Sequence, residues 1–389
     1  MENARHLSIF DTTLRDGEQA PGNSMTFEQK MEMFTVLDNL GFDLIESGFP
    51  SATEYDFQVT RELSKMARHS KICAFVRANR ADIDTSLRAL QDSHSFQIQT
   101  LAVGSHIHLE HKRKMTAEAA ILEATDAVRY LRAQGVTDIS LGVEDASRGD
   151  YDYLQRLITS GVEAGATTVV IADTVGCALP HQFARLVQAA KGWVGDSVKL
   201  SIHCHDDLGL ALANALAGVH AGADEVQTTL CGIGERAGNT AFEELAAVLS
   251  YKRDYYGADT PIDRSRVYAA CQRLIDLLDL PVARHKSVIG KYVFATEAGI
   301  HQHGMMNNPI TYEYVEPHLF GRERQILIGR HSGRNVLRGR LQGRGIEVDN
   351  RLLEALYDHI MQAEDLERYN DTDVLVEHYL GLEQQTMQA

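Results

Sequence analysis

Residues 198–211, VKLSIHCHDDLGLA, contain the pattern that decides the fold. The apolar run 198–204 has the length of a buried β-strand, and an amphipathic stretch with helical periodicity, 208–221, follows two acidic residues. Seven more short apolar runs are followed by amphipathic stretches. The predicted strands are residues 7–10, 43–49, 71–76, 97–103, 138–143, 168–172, 198–204 and 224–229. Eight such units predict a (β/α)₈ TIM barrel, an α/β fold, over residues 1–255.

The main alternative fold is an open doubly wound sheet, which eight near-equal units disfavour. After residue 255 the pattern changes, because 264–278 and 348–364 predict helices and 285–304 mixes strand and loop features. We therefore expect a smaller, mainly helical C-terminal region over residues 256–389, with a frayed tail beyond Glu383.

Composition and charge exclude several classes of partner. The 389 residues have a formal net charge of -16, which disfavours nucleic acid and anionic membrane surfaces as main partners. No apolar run approaches the roughly 18 residues that span a bilayer, and no signal peptide is apparent at the start. The five cysteines are scattered without CxxC pairs. We therefore expect a cytoplasmic protein with reduced thiols.

Polar residues follow several predicted strands directly, at the barrel end where enzymes of this fold form their active sites. They are Asp11, Arg15, Asp16 and Gln19 after the first strand, Glu144, Asp145 and Arg148 after the fifth, Asp173 and Thr174 after the sixth, His205, Asp206 and Asp207 after the seventh, and residues 232–239 after the eighth. Packing alone does not require such a constellation, so it indicates a site.

The pair His203 and His205 is the most specific local signal. Side chains two residues apart on a strand share a face, so both imidazoles can face one ion, while Cys204 points to the other face. A pair of hydrogen-bonded core histidines is the alternative. The acids that follow and the RDG turn after the first strand favour a divalent metal, Mn²⁺, Zn²⁺, Co²⁺ or Mg²⁺.

Two further features fit a metal enzyme. Asp16 can hold the ion while the neighbouring Arg15 stabilises a developing oxyanion; a surface ion pair is the alternative, which the position at the end of a barrel strand disfavours. The glycines of residues 232–239 (GIGERAGN) follow the eighth strand, where barrels often bind phosphate, but a flexible loop explains their spacing equally well.

Several long motifs, in order, resemble the 2-isopropylmalate synthase and homocitrate synthase family over roughly residues 7–340. They are FDTTLRDGEQ at 10–19, IESGFP at 45–50, IHCHDDLGLA at 202–211, GIGERAGN at 232–239 and GIHQ at 299–302. The resemblance implies a Claisen-type condensation of acetyl-CoA with a 2-oxo acid on a divalent metal, followed by thioester hydrolysis.

The resemblance also implies roles for individual residues. Asp16, His203, His205 and Asn239 would be metal ligands, and Arg15 would stabilise the alkoxide. His301, together with Glu144, would take a proton from the acetyl methyl, and Tyr312 would assist. The C-terminal region would cover the active site of a partner subunit, which implies a homodimer.

The acceptor pocket departs from the family pattern. Gln99 stands where a histidine is expected, and Gly142 replaces a larger residue. With Arg15, Arg148 and Thr174 these are our candidate substrate-binding residues, and they leave the 2-oxo acid open, including a phosphono acid such as phosphonopyruvate. The cations Arg77, His106, His108 and Arg148 are candidates for a distal anion. The basic run 108–114 is interpreted as the solvated start of a helix.

The chain ends near the limit of the family's catalytic portion, so we expect no leucine-binding regulatory domain. A second candidate activity is cleavage of 3-hydroxy-3-methylglutaryl-CoA on the same barrel. Enzymes with that activity use a cysteine in a glycine-rich loop after the eighth strand. Residues 232–239, the corresponding stretch here, contain no cysteine, so the activity is disfavoured. A binding protein that has lost its chemistry is the third candidate, and no expected ligand or base is missing.

Overall fold

The computed structural model describes residues 4–388, and its main element is a closed barrel of eight parallel strands. The strands are β1 (Ser8–Asp11), β2 (Leu44–Gly48), β3 (Lys71–Val76), β4 (Phe96–Val103), β5 (Ile139–Glu144), β6 (Thr168–Asp173), β7 (Lys199–Cys204) and β8 (Glu225–Thr228). β1 pairs with both β2 and β8, which closes the barrel. The predicted TIM barrel is confirmed.

A helix follows each strand and packs on the outside of the barrel, as the periodicity predicts. The helices are α1 (Phe27–Leu40), α2 (Glu54–Met66), α3 (Arg80–Ala89), α4 (Ala117–Ala133), α5 (Tyr151–Ala164), α6 (Pro180–Val194), α7 (Ala211–His220) and α8 (Phe242–Tyr256). A capping box at Thr26 and Gln29 begins α1, and Gly41, with φ of 86°, ends it in the left-handed region that glycine adopts without steric cost.

The loop between β7 and α7 is longer than predicted. The sequence places the helix start at residue 208, whereas α7 begins at Ala211. The Asp206 carboxylate accepts a hydrogen bond from the backbone N–H of Ala211, 2.8 Å away. Residues 205–210 are therefore held as a loop at the carboxyl end of the barrel, where their polar groups are available to a site.

The chain divides into two compact units, Met1–Val282 and Ala283–Ala389, so the first unit extends beyond the boundary expected at residue 255. The additional helix, α9 (Val267–Leu278), packs against α1. Two contacts join them: Gln29 donates to the carbonyl of Leu277, and Arg273 forms an ion pair with Glu32. Because α9 completes the outer helical layer, it belongs with the barrel.

The second unit is mainly helical, as expected. Its helices are α10 (Gly299–Asn307), α11 (Arg334–Gly343), α12 (Asn350–Gln362) and α13 (Thr372–Gln388), and a two-stranded parallel pair joins Ala295–Thr296 to Gln325–Ile326. Its own core includes Leu337, Leu356 and Tyr379. The expectation of a frayed tail beyond Glu383 is wrong, because α13 continues to Gln388. Among the described residues, no helix combines the length and apolarity needed to cross a membrane.

Candidate active site

Three ligand-type side chains converge at the carboxyl end of the barrel. His203 on β7, His205 just after it and Asp16 after β1 are buried and form the one group of this kind within residues 4–388. The two imidazole Nε2 atoms are 3.0 Å apart, and Asp16 Oδ2 lies 3.4 Å from that of His203 and 3.8 Å from that of His205. The sequence placed both histidines on one strand face, and the structure brings them together with Asp16.

The electrostatics of this cluster favour an anionic carboxylate beside a neutral imidazole. Burial alone raises the pKa of Asp16, but the charge of Arg15 and the contacts with His203 and His205 hold that pKa well below its usual range. Burial, together with the neighbouring charge of His203, lowers the pKa of His205 to about 4. A neutral imidazole and a carboxylate are the forms that ligate divalent cations.

Asn239 completes the cluster. Its loop forms a bridge to His205, and its amide Nδ2 donates to Asp16 Oδ1 over 3.0 Å. Asn239 Oδ1 and His205 Nδ1 are buried and have no hydrogen-bond partner among the described residues. A buried acceptor without a partner carries a desolvation cost. Asn239 therefore lies beside the group of Asp16, His203 and His205, and its Oδ1 atom is available as a fourth ligand of a cation bound there.

Arg15 lies beside the cluster and is held on two sides. Its Nε donates to Glu46 Oε2 over 2.8 Å, and its Nη1 donates to Asp16 Oδ2 over 3.1 Å. The guanidinium also lies over the ring of Phe75, 5.1 Å from the ring centroid. Burial alone would lower the pKa of Arg15, but the charges of Glu46 and Asp16 raise it by more. The pKa therefore lies above its usual value, and the guanidinium stays charged. Arg15 is thus a fixed cation next to the ligand set.

A chain of amide hydrogen bonds, which sequence reasoning missed, orients His203. His203 Nδ1 lies 3.0 Å from Gln227 Oε1, and Gln227 Nε2 donates to Gln99 Oε1 over 3.1 Å. The oxygen of Gln227 can only accept, so Nδ1 of His203 carries the proton and its Nε2 presents a lone pair to the cluster. Gln99, predicted as an acceptor-pocket residue, thereby also supports the orientation of His203.

Cys204 lies outside this cluster, as the strand alternation predicts. Its side chain is buried, and it is absent from the group formed by Asp16, His203 and His205 although cysteine sulfur is a ligand type. Burial raises the pKa of its thiol well above the usual value. A protonated, buried thiol behaves as a small apolar side chain.

A cavity of about 590 Å³ opens above the cluster and lies within the first unit. Eight of the predicted catalytic, substrate-binding and metal-ligand residues line it: Arg15, Asp16, Gln99, Gly142, Glu144, Thr174, His203 and His205. Lys112 and Arg113 line it too; both are exposed, as expected for a solvated segment, but the run 108–114 is not the start of α4, which begins at Ala117. These residues form a π-helix, His108–Arg113, and Lys112 Nζ is 2.6 Å from Glu144 Oε1.

Two other predicted substrate-binding residues, Arg148 and Thr174, are already engaged by Asp145. Arg148 is bound by Asp145 through its Nε and Nη2 atoms, at 2.8 Å each, and is not among the residues that line the cavity. Thr174 lines the cavity, but its Oγ1 already accepts from the backbone of Asp145 over 2.8 Å. The structure therefore does not bring Arg148 to the acceptor pocket, because an acid three residues earlier holds it.

His301 and Tyr312 belong to the second unit, where they form a pair of their own. Their ring centroids are 4.1 Å apart with an interplanar angle of 32°. Both side chains are exposed on that unit, with Tyr312 52% accessible. The pair combines a titratable imidazole with a phenol, a combination suited to proton transfer.

Comparison with known proteins agrees with the motifs. Residues 6–274 match the HMGL-like family, and residues 288–368 match the homocitrate synthase post-HMGL domain-like family. The 2-isopropylmalate synthase of Nitrosomonas europaea is 40% identical over 348 residues, which are 89% of this chain and 68% of that protein. The chain belongs to the 2-isopropylmalate synthase and homocitrate synthase family. The resemblance seen in the sequence is confirmed.

Other members of this family match over even more of the chain. The 2-isopropylmalate synthase of Pyrococcus furiosus is 37% identical over 384 residues, 97% of this chain and 77% of that protein. Among solved structures, the hydroxymethylglutaryl-CoA lyase of Pseudomonas aeruginosa superposes with a TM-score of 0.61 at 18% identity, covering 72% of this chain and 96% of that one. At that identity the likeness concerns the fold alone.

Proposed function

We propose that this protein is an acyltransferase that condenses acetyl-CoA with a 2-oxo acid and then hydrolyses the thioester, giving a 2-substituted malate or homocitrate-type product and CoA. The observation that supports this most strongly is the convergence of Asp16, His203 and His205 beside the fixed cation Arg15. That set lies in a chain whose relatives, at 40% identity, are 2-isopropylmalate synthases.

We propose Asp16, His203, His205 and Asn239 as the ligands of a divalent cation. The residues fit such an ion, because two imidazole nitrogens and a buried carboxylate converge and Asn239 Oδ1 has no partner among residues 4–388. Imidazole and oxygen donors suit Mg²⁺, Mn²⁺, Zn²⁺ or Co²⁺. A cation bound there would act as a Lewis acid towards the carboxylate and keto oxygens of the 2-oxo acid.

Arg15 is proposed to stabilise the alkoxide that forms from the keto group. Its bonds to Glu46 and Asp16 use Nε and Nη1, which leaves Nη2 as the guanidinium nitrogen for the substrate oxygen. Because those two acids hold the guanidinium in place before the substrate arrives, little reorganisation is needed when negative charge develops. Such preorganised donors act mainly on the transition state.

We propose His301, with Glu144 and Tyr312, as the groups that move protons. A base removes a proton from the acetyl methyl, and the resulting carbon nucleophile forms a bond to the keto carbon. The keto oxygen receives the electron pair and then a proton. Water adds to the thioester carbonyl, the carbon–sulfur bond breaks and CoA leaves as a thiol. A well-placed base contributes about 10²–10⁴-fold to such a step.

The domain assignment and assembly are part of the same proposal. We propose the first unit, through Val282, as the catalytic barrel and the second unit, from Ala283, as a cover for the active site of a partner subunit in a homodimer. Under this proposal His301 acts on the barrel of either its own or the partner subunit. Mixing inactive His301→Asn and His203→Ala subunits tests it, because recovered activity in the mixture requires a site shared between subunits.

The function itself is tested by release of free thiol. We expect the purified protein to release CoA from acetyl-CoA only when a 2-oxo acid and a divalent cation are both present. We expect His203→Ala to abolish release with a nearly unchanged far-UV circular dichroism spectrum, because a ligand is lost. Cys204→Ala is the matched control on the same strand and retains most activity.

Three outcomes count against this proposal or part of it. Absence of thiol release with every acceptor at saturating Mg²⁺ or Mn²⁺ refutes the condensation. Cleavage of 3-hydroxy-3-methylglutaryl-CoA without any 2-oxo acid supports the lyase alternative instead. Loss of metal binding in Cys204→Ala contradicts the assignment of ligands by strand face.

A further inference from the structure

Two cysteines meet where the loop after β8 packs against α9. Cys231 lies in the short turn Leu230–Gly232, and Cys271 lies in the first half of α9. The Sγ atom of Cys231 is 3.8 Å from the carbonyl oxygen of Cys271, and the two thiol side chains are hydrogen-bonded to each other. Both are free thiols. Two residues that are 40 positions apart in sequence are thus in side-chain contact without a disulfide between them.

One carboxylate holds the two cysteines side by side. Glu243, in the first turn of α8, is fully buried, and its Oε2 accepts from the backbone N–H of Cys231 over 3.0 Å. The same oxygen accepts from the thiol of Cys271 over 3.9 Å. Because both cysteines contact one buried oxygen atom, their relative position is fixed before any reaction joins them.

The two thiols differ in accessibility and in acidity. Cys271 is fully buried, and its hydrogen bond with Cys231, together with burial, holds the pKa of its thiol well above the usual value. Cys231 is only partly buried. An accessible cysteine beside a second cysteine that can form a disulfide with it is an arrangement often found where thiols are oxidised reversibly.

The other cysteines have different surroundings. Cys73 and Cys204 are buried, and burial raises the pKa of both thiols well above the usual value. Cys177 is exposed, but its sulfur contacts oxygen atoms, Ser147 Oγ and Asp173 Oδ1, at 3.8 Å each. Cys177 is therefore an accessible thiol that serves as a control for the pair.

Cys231 directly precedes the residues that hold Asn239, the proposed fourth ligand. The carbonyl oxygen of Gly232 accepts from the backbone N–H of Asn239 over 3.0 Å, and that of Ile233 accepts from its Nδ2 over 3.2 Å. Cys231 itself has φ of 60°, in the left-handed region that residues with a side chain rarely adopt. A shift of this turn is therefore passed to Asn239 through two hydrogen bonds.

We propose that Cys231 and Cys271 are a reversible oxidation site, at which a peroxide joins the two sulfur atoms in a disulfide and thereby weakens cation binding at Asn239. Cys231 gives up its thiol proton, and its thiolate attacks one oxygen of hydrogen peroxide. The O–O bond breaks, the other oxygen takes the proton and leaves as water, and a sulfenic acid remains. The thiol of Cys271 attacks that sulfur, the S–S bond forms and a second water leaves. Two thiols thus lose two electrons, and one hydrogen peroxide is reduced to two water molecules.

Formation of the disulfide requires the turn at Cys231 to move. A disulfide holds its sulfur atoms about 2.05 Å apart, closer than two hydrogen-bonded thiols. Cys271 is held in α9, which an ion pair and a hydrogen bond join to α1. The displacement therefore falls on Cys231 and on the carbonyl groups that bind Asn239. The effect on the cation rests on the proposed ligand set, whereas the disulfide itself does not.

The first experiment tests whether the disulfide forms. Full-length protein is treated with hydrogen peroxide, alkylated without reduction and digested with trypsin, which leaves Cys231 in peptide 200–236 and Cys271 in peptide 267–273. We expect mass spectrometry to show these two peptides linked, with fragment ions that place the bond at Cys231 rather than at Cys204, and to show them separate after dithiothreitol. Oxidation that ends in sulfinic acid at Cys231, or that modifies neither cysteine of the pair, overturns the proposal.

The second experiment measures Mn²⁺ affinity by calorimetry in reduced and in oxidised, desalted protein. We expect oxidation to raise the Kd by at least about tenfold, the scale for a disturbed support of a metal ligand, and dithiothreitol to restore it. Cys271→Ser keeps a small polar side chain beside Glu243 but cannot form the bond, so peroxide leaves its Kd unchanged. Cys231→Ser behaves in the same way. Cys177→Ser is the matched control and keeps both the disulfide and the change in Kd.

The possible results separate this inference from the proposed function. A disulfide that forms without a change in Kd overturns the connection to Asn239. A Kd that rises with peroxide in Cys231→Ser and Cys271→Ser as much as in the unmodified protein overturns the role of the pair. Absence of Mn²⁺ binding in the reduced protein overturns the proposed ligand set, and the connection to it as well. A loss of affinity confined to the disulfide form, and reversed by dithiothreitol, supports the inference.

Discussion

Replacing Gln227 by methionine tests whether the amide chain behind His203 controls metal binding. Gln227 is buried, with 2% of its surface accessible, and its oxygen is 3.0 Å from His203 Nδ1. Methionine has a similar length but cannot accept this hydrogen bond well. The imidazole then loses the contact that fixes its proton on Nδ1 and its lone pair towards Asp16. We expect weaker metal binding with the fold retained.

The magnitude follows from the type of contact removed. Loss of a hydrogen bond to the distal nitrogen of a metal-bound histidine typically costs about 10–100-fold in metal affinity or activity. The Oε1 of Gln99 keeps its second donor, Ser140 Oγ at 3.3 Å, so the variant does not leave that oxygen without a partner. We therefore expect the Kd for Mn²⁺ to rise by about 10–100-fold, with a corresponding shift in the metal concentration that gives half-maximal thiol release.

The assay is calorimetric titration of metal-free protein with Mn²⁺, and the matched control is Gln97→Met. Gln97 is also a buried glutamine of the barrel, but it bonds to Cys73 and Asp138 instead of the cluster. We expect the control to lose stability without a change in Kd. Equal Mn²⁺ affinity in Gln227→Met and the unmodified protein would refute the argument that this chain orients His203.

Further predictions concern charge. Arg15→Lys keeps the positive charge beside Glu46 but loses the fork geometry, so we expect kcat to fall by about 10²–10³-fold while Mn²⁺ affinity stays within about tenfold; an unchanged kcat would contradict the alkoxide role. Burial raises the pKa of Asp11 to about 7 from 3.8. Between these values the folded state binds more protons than the unfolded chain at Asp11, so the contribution of Asp11 to stability is greatest below pH 3.8 and is lost as the pH rises to about 7, by about 4 kcal/mol in total. Denaturant titrations from pH 5 to pH 8 at fixed metal concentration should show the part of this loss that falls above pH 5, about 3 kcal/mol, in the unmodified protein and little of it in Asp11→Asn, and equal slopes would contradict it.

The barrel could be predicted because its strands are buried on both faces. Each parallel strand lies between the interior of the barrel and the outer layer of helices, so it appears in the sequence as a short continuous apolar run. Eight such runs occur at regular intervals. The predicted strand 198–204 corresponds to β7 (Lys199–Cys204). The boundary at residue 255 could not be placed, since α9 joins the barrel through contacts with α1, which lies more than 200 residues away in sequence.

The ligand cluster was predictable where the geometry is local. His203 and His205 share a strand face by the two-residue period, and Asp16 follows β1 at the same barrel end. Gln227 was missed, although a glutamine within an apolar strand is an available signal, because its bond to Gln99 joins β8 to β4 across the barrel. Such pairings depend on the closed topology and not on spacing.

The positions of Lys112 and Arg148 relative to the cavity depend on local contacts that periodicity does not encode. Lys112 lies in a π-helix that ends at Lys114, with φ of 52°, and this irregular turn directs the basic segment to the cavity. Arg148 is captured by Asp145, three residues earlier. A local ion pair at that spacing is visible in the sequence and argues against an arginine that is free for a substrate.

The most direct test of the central claim is to follow the acetyl carbons. Protein supplied with acetyl-CoA that carries ¹³C at both acetyl carbons, a panel of 2-oxo acids and Mn²⁺ is analysed by mass spectrometry. We predict a product that contains both labelled carbons joined to the acceptor skeleton, formed in equal amount with free CoA and absent in His203→Ala. Label found only in acetate, with every supplied 2-oxo acid unchanged, would mean simple thioester hydrolysis and would contradict the account.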